Sequence, residues 1–166
     1  ADELTASLAE VEQIMPIRSE LESIIAGEVV SVRKHENSDK LSICEVNIGE
    51  KKNSQIICGA PNVKAGIIVP VCLPGGTVYN PSDPEQVLKI EAREVRGELS
   101  NGMICSHMEL GIANNHEGIM ILENNLKPGE DLLHILQDNT FEVENKSISH
   151  RSDCFSHLGI ARELAA

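Results

Sequence analysis

Residues 56–63 read IICGAPNV, and no other segment restricts the possible folds of this chain as much. Two apolar strand residues, Ile56 and Ile57, run into Cys58, and then Gly59, Ala60, Pro61 and Asn62 break the strand. Glycine opens backbone angles closed to other residues and lets a second backbone come close. Proline fixes its own φ, removes a donor and drives the preceding residue out of the helical region. The segment is therefore a strand that ends in a stiff corner and presents an amide side chain.

The chain beyond Gly27 has the same character. Segments 28–33, 41–48, 54–58, 67–71 with Leu73, 89–95, 103–105 and 118–122 read as short strands. Within 41–48 the set Ser42, Cys44, Val46 and Ile48 is the more apolar and is expected to face the core. Polar or glycine-rich stretches at 35–40, 49–53, 74–76 and 96–102 read as turns, and 79–85, with two prolines, as a surface loop without core residues. Ser106 is expected to cap a short helix that Gly111 ends, and 131–136 to form another. So many short strands predict a small barrel or sandwich, closed or nearly so, because closure removes exposed sheet edges.

The two ends differ from this middle. Residues 1–15 are predicted as a short helix (Leu4, Leu8 and Val11 at helical spacing) leading into a strand that Pro16 interrupts, and 18–25 as a connection. Residues 141–148 read as a strand and 154–166 as a helix. Both phenylalanines, Phe141 and Phe155, lie there, so the end of the chain is expected to belong to a different packing unit. The start without methionine and the uncapped helical end read as a piece of a longer protein.

Aromatic residues are only 2% of a chain that is 41% apolar, so the core must be built from Ile, Val, Leu, Met and Cys. The five cysteines (Cys44, Cys58, Cys72, Cys105 and Cys154) are an odd number, contain no CxxC pair and sit in apolar runs. They are expected to be reduced, buried thiols of a cytoplasmic protein, with no zinc or redox role. The net charge is −12, and acidic residues outnumber basic ones in each of 1–26, 27–137 and 138–166. Such a chain is a poor non-specific nucleic-acid binder, so any contact of that kind must come from a local cluster. No signal-peptide pattern and no apolar run near the ~20 residues of a membrane-spanning helix occurs, so no membrane partner is expected.

No active site is legible. His150 and His157 are seven apart with no third ligand at metal spacing, and His35-Glu36 lacks the second histidine of a zinc-protease helix. The glycines at 75–76 and 97–102 match neither GxGxxG nor GxxxxGK[ST], and no nucleophile elbow occurs. No catalytic or metal-ligating residue is assigned. What remains is a set of turns rich in donors, namely Arg33, Lys34, His35, Asn37, Lys40, Asn62, Arg93, Arg96, Ser100 and Asn101. Singly, each such residue is more often a solvated surface group than a contact. Together on one face of a small barrel they form a candidate site for RNA phosphates and sugars. The lack of aromatic stacking residues favours backbone and shape contacts over splayed bases.

These motifs together resemble the N-terminal part of the bacterial phenylalanyl-tRNA synthetase beta subunit family. Residues 35–41, HENSDKL, are similar to that family's HPNADKL turn. Residues 57–63 match its (I/V)CGAPNV corner, 73–75 its LPG turn, and 96–106, RGELSNGMICS, its RGV-S-GM-CS segment. These are shared with the wider class of tRNA-binding OB domains. Residues 149–154, SHRSDC, with 159–166, GIARELAA, resemble a segment of the beta subunit itself, as do Leu4-Thr5 and Glu10-Val11-Glu12. The chain departs from the pattern at Glu36, where proline is usual, in an extended loop over 80–87, and at His150, where proline-asparagine is common.

The resemblance implies a mainly β fold with α/β flanks: a five-stranded Greek-key OB barrel at 27–137, inserted into a small split α/β domain made of 1–26 and 138–166. It implies a parent enzyme that joins phenylalanine to tRNA(Phe) with ATP and Mg²⁺ as an (αβ)₂ assembly. Catalysis there belongs to the alpha subunit, and editing to a later beta-subunit domain. This region would be non-catalytic, with no cofactor of its own, serving tRNA binding, subunit architecture or both. The alternatives are a structural insertion with little RNA contact, and a stand-alone tRNA-binding OB protein, against which the GIARELAA segment speaks.

Overall fold

The computed structural model describes residue 5 and residues 10–114, 117–123, 125–144 and 146–165. The chain divides into two compact units, one of residues 18–137 and one of residues 1–17 with 138–166. The expected mainly β class is what forms. In chain order the strands are β1 (Val11–Ile17), β2 (Glu22–His35), β3 (Ser38–Asn47), β4 (Ser54–Cys58), β5 (Ile68–Asn80), β6 (Asp83–Lys89), β7 (Arg93–Val95), β8 (Glu98–Ser100), β9 (Met103–Ile104) and β10 (Asp138–Val143). Among the described residues the same order gives two short α-helices with defined bounds, α1 (Leu133–Leu136) and α2 (His157–Leu164).

In the larger unit β2 is the central strand. It pairs antiparallel with β3 on one side and β5 on the other. β3 continues the sheet to β4, and β5 continues it to β6 and β9. Register shifts along β2, at Val29/Ser31 and Lys34/His35, mark irregularities of the kind that bend a strand and let a sheet curl. Residues 100–104 close the curl. They pair with β5 through Val71↔Ile104 and Cys72↔Met103, and they reach β4 through Asn101 N–H, which donates to the Gln55 carbonyl at 2.8 Å. The path β2–β3–β4–(100–104)–β5–β2 is thus a ring. Gly102 makes the tight step in it. Its φ is +117°, and a Cβ there would lie 2.6 Å from the Cys72 carbonyl oxygen, so only glycine fits.

The interior is aliphatic and thiol-rich, as the scarcity of aromatics requires. One cluster is built on Leu21, Ile24, Cys72, Val78, Leu110 and Leu132, the other on Val29, Cys44, Val46, Ile56, Val69 and Ile104. Cys44 and Val46 of β3 face inward as their alternation predicts, and Ile43 is buried as well.

Several expectations are corrected. Residues 18–25 are not a connection: β2 starts at Glu22, and Leu21 and Ile24 are fully buried, so the composition change at Gly27 falls inside a strand. Residues 74–76 are not a turn. β5 runs through them with a bend, where Gly76 packs so closely that a Cβ would stand 2.4 Å from the Glu22 carbonyl oxygen. Residues 79–85 are not a loop but the tip of the β5–β6 hairpin. Asn80 Oδ1 accepts from Ser82 N–H at 2.9 Å, and Tyr79 packs on the first cluster while donating its hydroxyl to Glu20. β6 is exposed along almost its whole length, so no apolar alternation announced it.

Residues 89–95 hold two strand ends with a link between them rather than one strand; in the link the Ile90 carbonyl accepts from Gly75 N–H at 2.7 Å and Ile90 N–H donates to the Gly76 carbonyl at 2.8 Å. Residues 106–111 form a hydrogen-bonded turn instead of a helix, a stretch too short to repay helix nucleation. Residues 118–122 form no continuous strand: they make the isolated bridge Ile68↔Leu122 and a bond from Met120 N–H to the Cys105 carbonyl at 3.0 Å. In the smaller unit β1 pairs antiparallel with β10, which ends at Val143, and 146–148 turn in a 3-10 helix where strand was expected. Ser156 caps α2 by accepting from Gly159 N–H at 3.0 Å. The helix expected from Leu4 and Leu8 lies outside the described residues.

Candidate nucleic-acid interface

Two hairpin tips meet at one corner of the larger unit. The β2–β3 turn carries His35, Glu36 and Asn37, and the β7–β8 turn carries Arg96 and Gly97. His35 is buried and joins them: its Nδ1 accepts from Asn37 N–H at 3.1 Å, which leaves Nε2–H to donate to the Val95 carbonyl at 3.1 Å. Asn37 and Arg96 then bond reciprocally. Asn37 Nδ2 donates to the Arg96 carbonyl at 3.0 Å, and Arg96 Nη1 donates to the Asn37 carbonyl at 3.1 Å. The HENSDKL pattern is thus explained by docking one turn on another.

Arg96 and Gly97 have φ of +52° and +93°. A two-residue hairpin with both central residues at positive φ is the turn that matches strand twist, and asparagine or aspartate with glycine is its usual pair. Arginine at the first of these positions costs about 1 kcal/mol. The structure keeps a cation at a place where a small polar residue is easier, and leaves it exposed.

Arg33, Lys34, Lys40 and Arg93 are exposed, with Arg33 and Lys34 at the end of β2 and Arg93 at the start of β7. Arg33 pairs loosely with Glu98 at 3.5 Å, an exposed contact worth less than about 1 kcal/mol. Glu36, Asp39 and Glu94 are also exposed on these two hairpins. The corner therefore offers oriented cations and not a strong net field.

Three of the candidates serve the barrel instead. Ser100 is buried; its Oγ accepts from Ile57 N–H at 3.0 Å and donates to the Gly102 carbonyl at 3.0 Å, tying the ring closed. Asn101 adds its backbone to that closure, its carbonyl accepting from Ser54 Oγ at 3.1 Å. Asn62 acts as a strand partner for Ile119: Nδ2 donates to the Ile119 carbonyl at 2.8 Å and Oδ1 accepts from Ile119 N–H at 2.9 Å. The amide of the CGAPN corner is therefore committed to the fold. Asn62→Leu is expected to leave both Ile119 backbone groups unpaired, lowering stability by about 2–4 kcal/mol in a urea titration, and Asn62→Asp, which keeps the acceptor, by about half of that.

Beside the corner lies an open groove of about 620 Å³. Arg93 and Val95 of β7, the 57–61 corner, Met103 and residues 117–119 are among its lining. Glu91, Glu109, Glu117, Lys89 and Arg93 are also among its lining residues, and the buried Glu109 carboxylate accepts from Ser106 N–H.

In the smaller unit Asp153, Cys154 and Glu163 come together. The Asp153 and Glu163 carboxylates grip the Arg151 guanidinium, and that guanidinium holds the Asp153 carboxyl at about 2. The two carboxylates form an ion-pair network on Arg151, and the Cys154 thiol donates to Asp153 Oδ2 at 3.7 Å. Among the described residues no helix is long and apolar enough to cross a membrane, which says nothing of spanning by strands.

Residues 24–131 match the family model described as a putative tRNA binding domain. The chain belongs to this family. The matched span begins inside β2, after its first two residues, and ends just before α1, so it holds the ring, both docked turns and the groove. Over the whole chain, this member of the tRNA-binding domain family is 42% identical to the phenylalanine–tRNA ligase beta subunit of Salinibacter ruber. It is 39% identical over 99% of its length to the beta subunit of Coxiella burnetii. It spans 21% and 20% of those relatives, about a fifth of their length. Among solved structures, the MetRS related protein from Pyrococcus horikoshii aligns with 64% of the chain, which covers 85% of that protein, at 16% identity and a TM-score of 0.46.

Proposed function

We propose that this chain is the tRNA-binding region of a phenylalanine–tRNA ligase beta subunit, a non-catalytic OB-type barrel that holds the backbone of tRNA(Phe). Arg96, Arg93, Lys34 and Lys40 are the phosphate contacts, with Arg33 released from Glu98 when RNA arrives. The observation that carries this reading is Arg96, an exposed cation at a positive φ on a hairpin tip fixed by His35 and Asn37. Strain of that kind at a surface tip points to use of the side chain. The alpha subunit in an (αβ)₂ assembly supplies catalysis with ATP and Mg²⁺, in the cytoplasm, and this region adds no catalytic residue or cofactor. Residues 1–17 and 138–166 are the two pieces of the split domain into which the barrel is inserted.

Arg96→Asn separates function from fold. Asparagine accepts the same backbone angles, so the thermal midpoint is expected to stay level or rise. The slope of log K against log salt for tRNA(Phe) is expected to fall by about one phosphate contact. An unchanged slope assigns Arg96 to structure.

A second reading has specific support. His35, Asn37, Asn62 and Ser100 are engaged within the fold, and the chain carries a net charge of −12. On that reading the barrel is an architectural insertion that packs against other parts of the enzyme with little RNA contact.

A further inference from the structure

Glu98 sits on the hairpin that carries the Arg96 tip, opposite Val95, whose carbonyl accepts from the His35 ring. Its side chain is 29% exposed and is held on both carboxylate oxygens. Gln55 of β4 donates Nε2–H to Glu98 Oε2 at 3.1 Å and to the Leu99 carbonyl at 2.8 Å. The Gln55 carbonyl in turn accepts from Asn101 N–H in the ring closure. The other carboxylate oxygen, Oε1, meets Arg33 Nη2 at 3.5 Å. Arg33 is the looser partner, with a side chain 51% exposed near the end of β2. The carboxylate is therefore fixed to the barrel, and the guanidinium is the part that swings away.

A carboxylate and a phosphate offer a guanidinium the same kind of charged oxygen acceptor. Glu98 is thus a tethered anion that engages Arg33 before any RNA phosphate reaches it. A tethered group acts at an effective concentration on the order of millimolar, so a free anion below that level does not displace it. A phosphate on an RNA already held by Arg96 or Lys34 is tethered too, and it competes on equal terms. We propose that Glu98 is an internal competitor that makes Arg33 a conditional contact, closed only by a polyanion that the neighbouring cations already hold. The acid lowers affinity by the strength of the pair, up to about fivefold for an exposed contact. In return it reserves Arg33 for RNA long enough to reach several cations. This inference rests on the RNA-binding reading above and gives the Glu98 carboxylate a part in it.

The test follows labelled tRNA(Phe) binding to the 166-residue chain by stopped flow at about 25 mM salt, where phosphate contacts count most. Glu98→Gln removes the competing charge and keeps an oxygen for Gln55, so the thermal midpoint is expected to stay level. Affinity is expected to rise about three- to fivefold, mostly through slower dissociation, because Arg33 closes after encounter. Glu94→Gln changes the charge of the same hairpin by the same amount at an exposed acid. It is expected to raise affinity by less than about twofold, through faster association, as a change in the long-range field does. Equal gains from the two variants overturn the competitor, since net charge then accounts for both. A Glu98→Gln gain confined to the association rate also overturns it. An unchanged or lowered affinity in Glu98→Gln, with wild-type binding that falls as salt rises, overturns it and leaves the RNA-binding corner standing. No binding of tRNA(Phe) by the wild type or either variant overturns both.

Discussion

Raising the pH from 9 to 12 is expected to unfold the larger unit. Cys44 and Cys72 are fully buried, and burial pushes both thiols from 9.0 up to about 12. Burial also raises Cys58, and it drives Cys105 well above its ordinary value. Tyr79 rises to about 12 through burial and through its hydrogen bond to Glu20. In the unfolded chain these thiols ionise above pH 9, while in the folded chain they stay protonated. The folded state then binds more protons than the unfolded state, so stability falls as pH rises. The contribution is fully present below pH 9 and is lost progressively up to about pH 12. Cys44 and Cys72 each take away about 1.4 kcal/mol per pH unit across that window. Together these two remove a large share of the roughly 5–15 kcal/mol that holds an ordinary domain together. Urea midpoints at pH 8, 9.5 and 11 check this, with reductant present. Cys44→Val is expected to flatten the decline, because the volume is kept and one ionisable group is gone. Midpoints that stay level between pH 8 and 11 would contradict the burial of these thiols.

His35→Ala is expected to cost about 3 kcal/mol and to loosen the β7–β8 hairpin. The ring is 4% exposed and bonds through both nitrogens. Truncation leaves the Val95 carbonyl and the Asn37 N–H without their partner and opens a cavity between two turns, and each of these effects is worth 1 kcal/mol or more. Glu36 sharpens the dependence. A proline there would stiffen the β2–β3 turn by itself, and without it the turn relies on His35 and Asn37. Hydrogen exchange should quicken at residues 93–100 far more than in β2 or β5. Affinity for tRNA should fall as well, because the Arg96 tip loses its support. A variant with lowered stability but unchanged exchange at 93–100 would mean that the ring serves only as packing.

The barrel was legible where side-chain alternation met turn chemistry. β3 and β4 show this: Cys44, Val46 and Ile56 alternate inward, and the GEKKN tip and the CGAPN corner bound them. It was not legible where the chain breaks those rules for a reason in three dimensions. Pro74-Gly75-Gly76 reads as a turn, yet the strand passes through it because Gly76 must lie against β2. β6 has no buried face, so it left no pattern. Among the site candidates, residue type marked the places that matter but did not separate their roles. Asn62 and Arg96 look alike as donors in turns. Only the positions of Ile119 and Asn37 distinguish an amide closed on backbone from a guanidinium at an exposed, strained tip. The groove escaped sequence reading because its walls come from five separate stretches of chain.

The most direct measurement is binding of tRNA(Phe) to the 166-residue chain across a salt series from about 25 to 200 mM. Five exposed cations at the hairpin corner, Arg33, Lys34, Lys40, Arg93 and Arg96, predict a slope of log K against log salt of about −4, with contacts counted at about 0.7–0.9 each. Binding that is absent at 25 mM, or that shows no dependence on salt, would contradict an RNA-binding corner and leave the barrel as architecture.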